Sequence, residues 1–148
     1  PAEVLRALVS LDGPGLPAFR RSTLIARSNI DADRVRSYAV LTIRADGMLQ
    51  DIIEKPDAET FARYVQLHGD EIRVSMNCWR FPPSIFEACR RLTPSARGEL
   101  ELTDAINMTI AKGVRFKFET SRDGVLDLSR RGDIPAVKER LRGVAVRL

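Results

Sequence analysis

The segment Arg36–Pro56, RSYAVLTIRADGMLQDIIEKP, constrains this chain more than any other. Two β-prone arms, residues 38–44 and 48–54, flank Ala45-Asp46-Gly47, and Asp-Gly is a strong short-range hairpin signal because glycine accepts the positive φ that tight turns require. A two-stranded hairpin is marginal on its own in water. The remainder of the chain therefore has to supply further strands and a covering layer.

The flanking patterns supply both. Val4, Leu5, Leu8 and Leu11 recur at helical spacing over residues 2–11. Glycine and proline in DGPGLP predict a loop over 12–17, and the short apolar run STLIAR predicts a strand over 22–27. Residues 57–69 read as a helix closed by Gly69, with Phe61, Tyr64 and Val65 on one face. Residues 71–81 alternate, with Ile72, Val74, Met76 and Cys78 opposite Ser75, Asn77, Trp79 and Phe81. PPSIFEACRRL predicts a helix whose buried stripe is Ile85, Phe86, Cys89 and Leu92. A helix capped by Thr103 and stopped by Gly113 follows, then a strand over 114–120 and a short one over 124–129. A last helix has Asp133 as its cap. Strands and helices alternate, which predicts an α/β fold with a mixed sheet flanked by helices and one inserted β-hairpin, in a single unit.

Composition narrows the function. With 148 residues and 44% hydrophobic content, the chain can bury the core of one domain. No stretch approaches a membrane span, and the amphipathic start does not read as a signal peptide. A single histidine argues against histidine-based catalysis or a histidine zinc site, and Cys78 and Cys89 lack metal-ligand spacing and read as reduced thiols in a cytoplasmic protein. The net charge of +4 is carried by scattered arginines with few aromatic residues to stack on bases, which argues against a nucleic-acid partner.

On open α/β sheets ligands bind beyond the carboxyl ends of strands. Glu54-Lys55, the Ser75–Asn77 segment and Asp127 fall at such ends, and Glu99 and Asp104 lie in RGELELTDAI, a polar loop feeding a helix N-terminus. Lysine is scarce, four residues among 24 basic ones, so a compact ammonium at position 55 suits a phosphate. A carboxylate beside it accepts from sugar hydroxyls. A solvated strand end stopped by Pro56 accounts for the same pair, and a single aspartate is a poor divalent site.

Four stretches in order, YAVLTIRADGMLQDIIEKPD, VSMNCWRF with PPSIFEAC, LTPSARGELELTDAI and VLDLS, resemble the second half of the catalytic domain of sugar-phosphate nucleotidyltransferases. The resemblance spans roughly residues 20–142. It implies a Rossmann-like nucleotidyltransferase fold and transfer of a nucleotidyl group from a nucleoside triphosphate to a sugar 1-phosphate, with pyrophosphate leaving and Mg²⁺ as cofactor. By position it implies that Tyr38, Ala39, Glu54, Ser75, Asn77 and Glu99 bind the sugar, that Lys55 holds its phosphate and is the catalytic cation, and that Asp127 is a metal ligand. The chain departs from the family pattern at Ala39, where glycine is common, and after Asp127, where LSRRGD replaces a Gly-Thr continuation. The resemblance further implies that the chain, starting at Pro1 without an initiator methionine, is the sugar-phosphate-binding portion of such a domain, with the nucleotide-binding portion not represented and the chain alone inactive. The expectation is a bacterial-type, cytoplasmic enzyme without a membrane partner, with a homo-oligomer among its expected states. The alternative is a non-catalytic sugar-phosphate-binding regulatory relative.

Overall fold

The computed structural model describes residues 2–144, the side chain of Asp70 excepted, so Pro1 lies outside the described residues. The helices are α1 (Ala2–Ser10), α2 (Arg21–Arg27), α3 (Ala32–Val35), α4 (Ala58–His68), α5 (Ile85–Arg90), α6 (Leu102–Ala111) and α7 (Ile134–Leu141), and the strands are β1 (Gly15–Arg20), β2 (Val40–Ile43), β3 (Leu49–Ile53), β4 (Arg73–Ser75) and β5 (Lys117–Ser121). The strands form one mixed sheet in the order β3-β2-β4-β1-β5. β1 runs parallel to β5 and antiparallel to β4, and β2 pairs antiparallel with β3 and β4. This is the expected α/β architecture, with β2–β3 as the inserted hairpin.

Successive strand residues face opposite sides, and each side has its own core. Leu16, Ala18, Leu41 and Ile52 point one way and pack with Ile85 and Ala88 of α5, Ala105 and Ile106 of α6, and Phe116. Phe19, Val40 and Val74 point the other way and pack with Val4 of α1, Leu24 of α2, Val35 of α3 and Tyr64 of α4. The hairpin turn closes as expected, Gly47 taking φ +77°. The Leu49 amide donates to the Phe116 carbonyl at 2.9 Å, so the chain just ahead of β5 meets the start of β3 although the two strands lie at opposite edges.

Several local expectations are corrected. Residues 15–20 form the strand β1 rather than ending a loop, and residues 21–27 form the helix α2 rather than a strand. Proline is tolerated inside β1 because its missing N–H faces the side where β4 has left the ladder. That side is held instead by the Gly15–Arg80 bridge, 2.9 and 2.8 Å in its two directions. The strand expected over 71–81 forms a ladder only over Arg73–Ser75, with Arg80 pairing in isolation against Gly15. Phe86 is exposed and Ala88 fills its expected place. The position ahead of α6 is Glu101, not Thr103, and residues 124–129 form no strand. Asp133 precedes α7 without capping it by its side chain, which turns back to the Ser129 and Arg130 amides at 3.1 and 2.9 Å.

Candidate functional site

Three chain segments leave the fold at one side of the hairpin. The edge strand β3 ends in Glu54-Lys55, β4 ends at Ser75 and continues to Asn77, and the turn 95–99 leads through Glu101 into α6. Helix α6 is fastened to the edge strand by Asn107, whose side chain accepts from the Ile52 amide at 3.1 Å and donates to its carbonyl at 2.8 Å. One amide thus replaces a missing strand partner and fixes where β3 stops relative to the loop ahead of α6.

Lys55 and Asn77 carry φ of +41° and +54°, and they are the only non-glycine residues with positive φ among the described residues. Asparagine tolerates this region, whereas a lysine there, ahead of Pro56, is strained by roughly 1–3 kcal/mol. The lysine is held there by its surroundings. Its Nζ lies 3.5 Å from Glu99 Oε2, and Arg97 Nε lies 3.7 Å from the same oxygen. Two cations thus converge on one carboxylate, and Lys55 above all holds the Glu99 carboxyl below its usual range. Arg97 also donates to Glu101 at 2.6 Å and to the Glu54 carbonyl at 3.5 Å.

Glu54, Asn77, Trp79, Glu101, Leu102, Thr103 and Ile106 line a cleft of ≈ 210 Å³. A second cleft of ≈ 250 Å³ shares Glu54 and Glu101 and extends along Asp51–Ile53, Ser95, Arg97, Asp104 and Asn107. Burial, reinforced by the neighbouring Glu101, raises the Glu54 carboxyl above its ordinary value against the opposing pull of Lys55 and Arg97. Thr103 is buried, and its hydroxyl has no protein partner. Trp79 stacks on Phe81 with centroids 5.7 Å apart and meets the edge of Phe116, which fixes one wall.

The remaining expected residues connect to this cleft through the backbone. Ser75 donates its amide to the Ala39 carbonyl at 2.9 Å, and the Ser75 hydroxyl accepts the Asn77 amide at 3.3 Å. Tyr38 turns away: its hydroxyl donates to Asp127 at 2.9 Å, and burial with that bond pushes its pKa up to about 12. Asp127 also accepts from Arg34 and from the Ser129 hydroxyl. Among the described residues no group of three or more histidine, cysteine, aspartate or glutamate side chains is arranged to hold a metal ion. The donor set around Asp127 is a guanidinium, a phenol and a hydroxyl, which does not fit a resident Mg²⁺.

Sequence reasoning did not name Arg97, Glu101 or Arg34, and it read Trp79 as a strand residue and Thr103 as a helix cap rather than as part of a site. Arg97 and Glu101 lie inside the RGELELTDAI motif, and the turn over 95–99 rather than helical spacing brings their side chains together. Arg34 carries no such signal, because its partners lie more than ninety residues away.

Cationic and carboxylate side chains are thus gathered beyond the strand ends of an α/β sheet, and sequence comparison adds relatives to this geometry. The chain is similar to sugar-phosphate nucleotidyltransferases. It is 31% identical over 84 residues, 57% of its length, to the UTP–glucose-1-phosphate uridylyltransferase AglF of Haloferax volcanii. It is 33% identical over 78 residues, 53% of its length, to a glucose-1-phosphate thymidylyltransferase of Streptomyces griseus, and 27% identical over 89 residues, 60% of its length, to the bifunctional protein GlmU of Methanococcus maripaludis. The matched segments span 30%, 19% and 19% of those relatives, well short of their full length. No protein-family model matches the chain. No helix among the described residues is long and apolar enough to cross a membrane.

Proposed function

We propose that the protein carrying this chain is a sugar-phosphate nucleotidyltransferase, which joins a nucleoside triphosphate to a sugar 1-phosphate and releases pyrophosphate, and that this chain supplies the sugar-phosphate side of the site. The observation that carries the reading is that the strained Lys55 and the other positive-φ residue, Asn77, follow the ends of β3 and β4, the two strands that flank β2, beside the Glu54–Glu101 cleft. Such strain persists only where the surroundings enforce it and concentrates at ligand sites.

In this reading Glu54 accepts from sugar hydroxyls, and Asn77 and the Ser75 backbone line the sugar. Lys55 and Arg97, already converging on Glu99 Oε2, close on the phosphate in its place. Their charges hold the sugar phosphate as nucleophile, with one oxygen presented in line to the α-phosphorus of the nucleotide. One P–O bond forms as the bond to pyrophosphate breaks, so positioning and electrostatics supply the catalysis without a covalent enzyme intermediate. Magnesium enters this proposal with the triphosphate, as its counter-ion. A regulatory relative that binds sugar phosphate without turnover remains the second reading, favoured by the pairing of Asp127 with Arg34.

The test is pyrophosphate release by the full-length protein from UTP or dTTP with glucose 1-phosphate, run beside calorimetric binding of the sugar phosphate. Turnover that falls at least a hundredfold in Lys55→Ala supports the transferase. Binding without turnover for any nucleotide and sugar pair selects the regulatory reading. Binding that survives Lys55→Ala and Arg97→Ala unchanged sinks both.

A further inference from the structure

The segment after β5 is fastened to the body of the fold at several points, through the Arg122 carbonyl to Arg27, the Val125 amide to Ser28, and on both sides of the Asp127 main chain. Asn29 accepts from the Asp127 amide at 2.8 Å and donates to its carbonyl at 2.7 Å, so the main chain there is pinned from both sides. The Asp127 carboxylate accepts from Arg34 Nη2, from the Tyr38 hydroxyl at 2.9 Å and from the Ser129 hydroxyl at 2.8 Å. The other arm of the guanidinium donates to Asp133 at 2.7 Å. Asp133 Oδ2 is taken in turn by the Ser129 and Arg130 amides. Arg34, Asp127 and Asp133 are all largely withdrawn from water, at 11, 16 and 10% side-chain exposure.

A carboxylate in such a place needs a cation, and the position that a divalent ion would take against Asp127 is shared with a guanidinium. A magnesium ion asks for near-octahedral oxygen ligands and usually keeps several waters. Asp133 brings none: Arg34 donates to both of its oxygens, and two amides share Oδ2. What Asp127 has left to offer is one oxygen that already accepts from Ser129, beside a fixed positive charge.

We infer that Asp127 is neutralised by Arg34 instead of a metal ion, and that the Asp127–Arg34–Asp133 bridge is a strap tying the segment after β5 to α3 and to Tyr38. Through Tyr38 the strap reaches Ala39, whose carbonyl holds Ser75 at the rim of the sugar cleft. The magnesium of the transfer reaction therefore has no ligand in this strap. The inference does not rest on which sugar or nucleotide is used, nor on turnover.

Manganese, which reports through its electron paramagnetic resonance signal, is the probe. Titrated into the full-length protein, with and without UTP, it should bind Asp127→Asn and the parent protein with affinities within twofold of one another. The same variant should melt lower by several degrees, roughly 5–10 °C, equally in EDTA and in magnesium. A tenfold or greater loss of manganese affinity in Asp127→Asn, or a magnesium-dependent gain in melting temperature that only the parent protein shows, overturns the inference. Should the variant not fold, the parent protein decides alone. Substoichiometric manganese should leave the Asp127 and Ser129 amide NMR signals sharp, and their selective broadening overturns the inference.

Discussion

Glu54 and Lys55 are adjacent in sequence and are placed under opposite constraints. Glu54 is partly buried beside another carboxylate, so its charged form is disfavoured in the folded state. A raised folded pKa on an acid means that folding is favoured below that value and opposed above it, as the carboxyl ionises. Glu54→Gln should therefore raise the melting temperature slightly at neutral pH, with the gain vanishing in acid, while sugar-phosphate affinity measured by calorimetry falls tenfold or more. Lys55 is strained in its backbone instead. Lys55→Gly should fold more stably than Lys55→Ala by about 1 kcal/mol in urea titrations, because glycine takes φ +41° without steric cost. Both variants should lose phosphate binding alike.

At the scale of elements, the helix α4 was legible because its signals are local: Asp57 accepts the Thr60 amide at 2.7 Å, and Gly69 closes the far end. Asp57→Ala should cost about 1 kcal/mol by chemical denaturation. The bond to Thr60 holds the Asp57 carboxyl below its ordinary value, so the contribution is present above the unfolded pKa and fades as pH falls through the folded one. The hairpin was legible for the same local reason, Asp46-Gly47. β1 and α2 were not. Gly15 and Pro17 read as breakers, yet a strand forms there because β4 and β5 flank it, and a Cβ at Gly15 would lie 2.6 Å from the Lys117 carbonyl oxygen. STLIAR is too short for periodicity to separate strand from helix, and its outcome was set by burying Leu24 under the sheet. Gly124 carried no signal at all, although a Cβ there would stand 2.1 Å from the Arg27 carbonyl oxygen. Gly124→Ala should destabilise by about 2 kcal/mol or more, read from the urea midpoint.

At the scale of the molecule, the two cores are separated by one sheet, and the candidate site lies where the hairpin edge meets the loop ahead of α6. The sequence motifs supplied Glu54, Lys55, Asn77 and Glu99, because strand ends and helix starts are local features. Arg97 and Glu101 were within reach of the same motif. Arg34 was not, because a guanidinium between Asp127 and Asp133 is a product of tertiary packing. Two cations meet at one Glu99 oxygen, and under the proposed function an incoming phosphate would take the place of that carboxylate. The most direct measurement is therefore calorimetric titration of glucose 1-phosphate into the full-length protein and its Lys55→Ala, Arg97→Ala and Glu99→Gln variants. The account predicts at least tenfold weaker binding for each lost cation and binding no weaker than the parent's for Glu99→Gln. Affinities unchanged by the loss of either cation would contradict it.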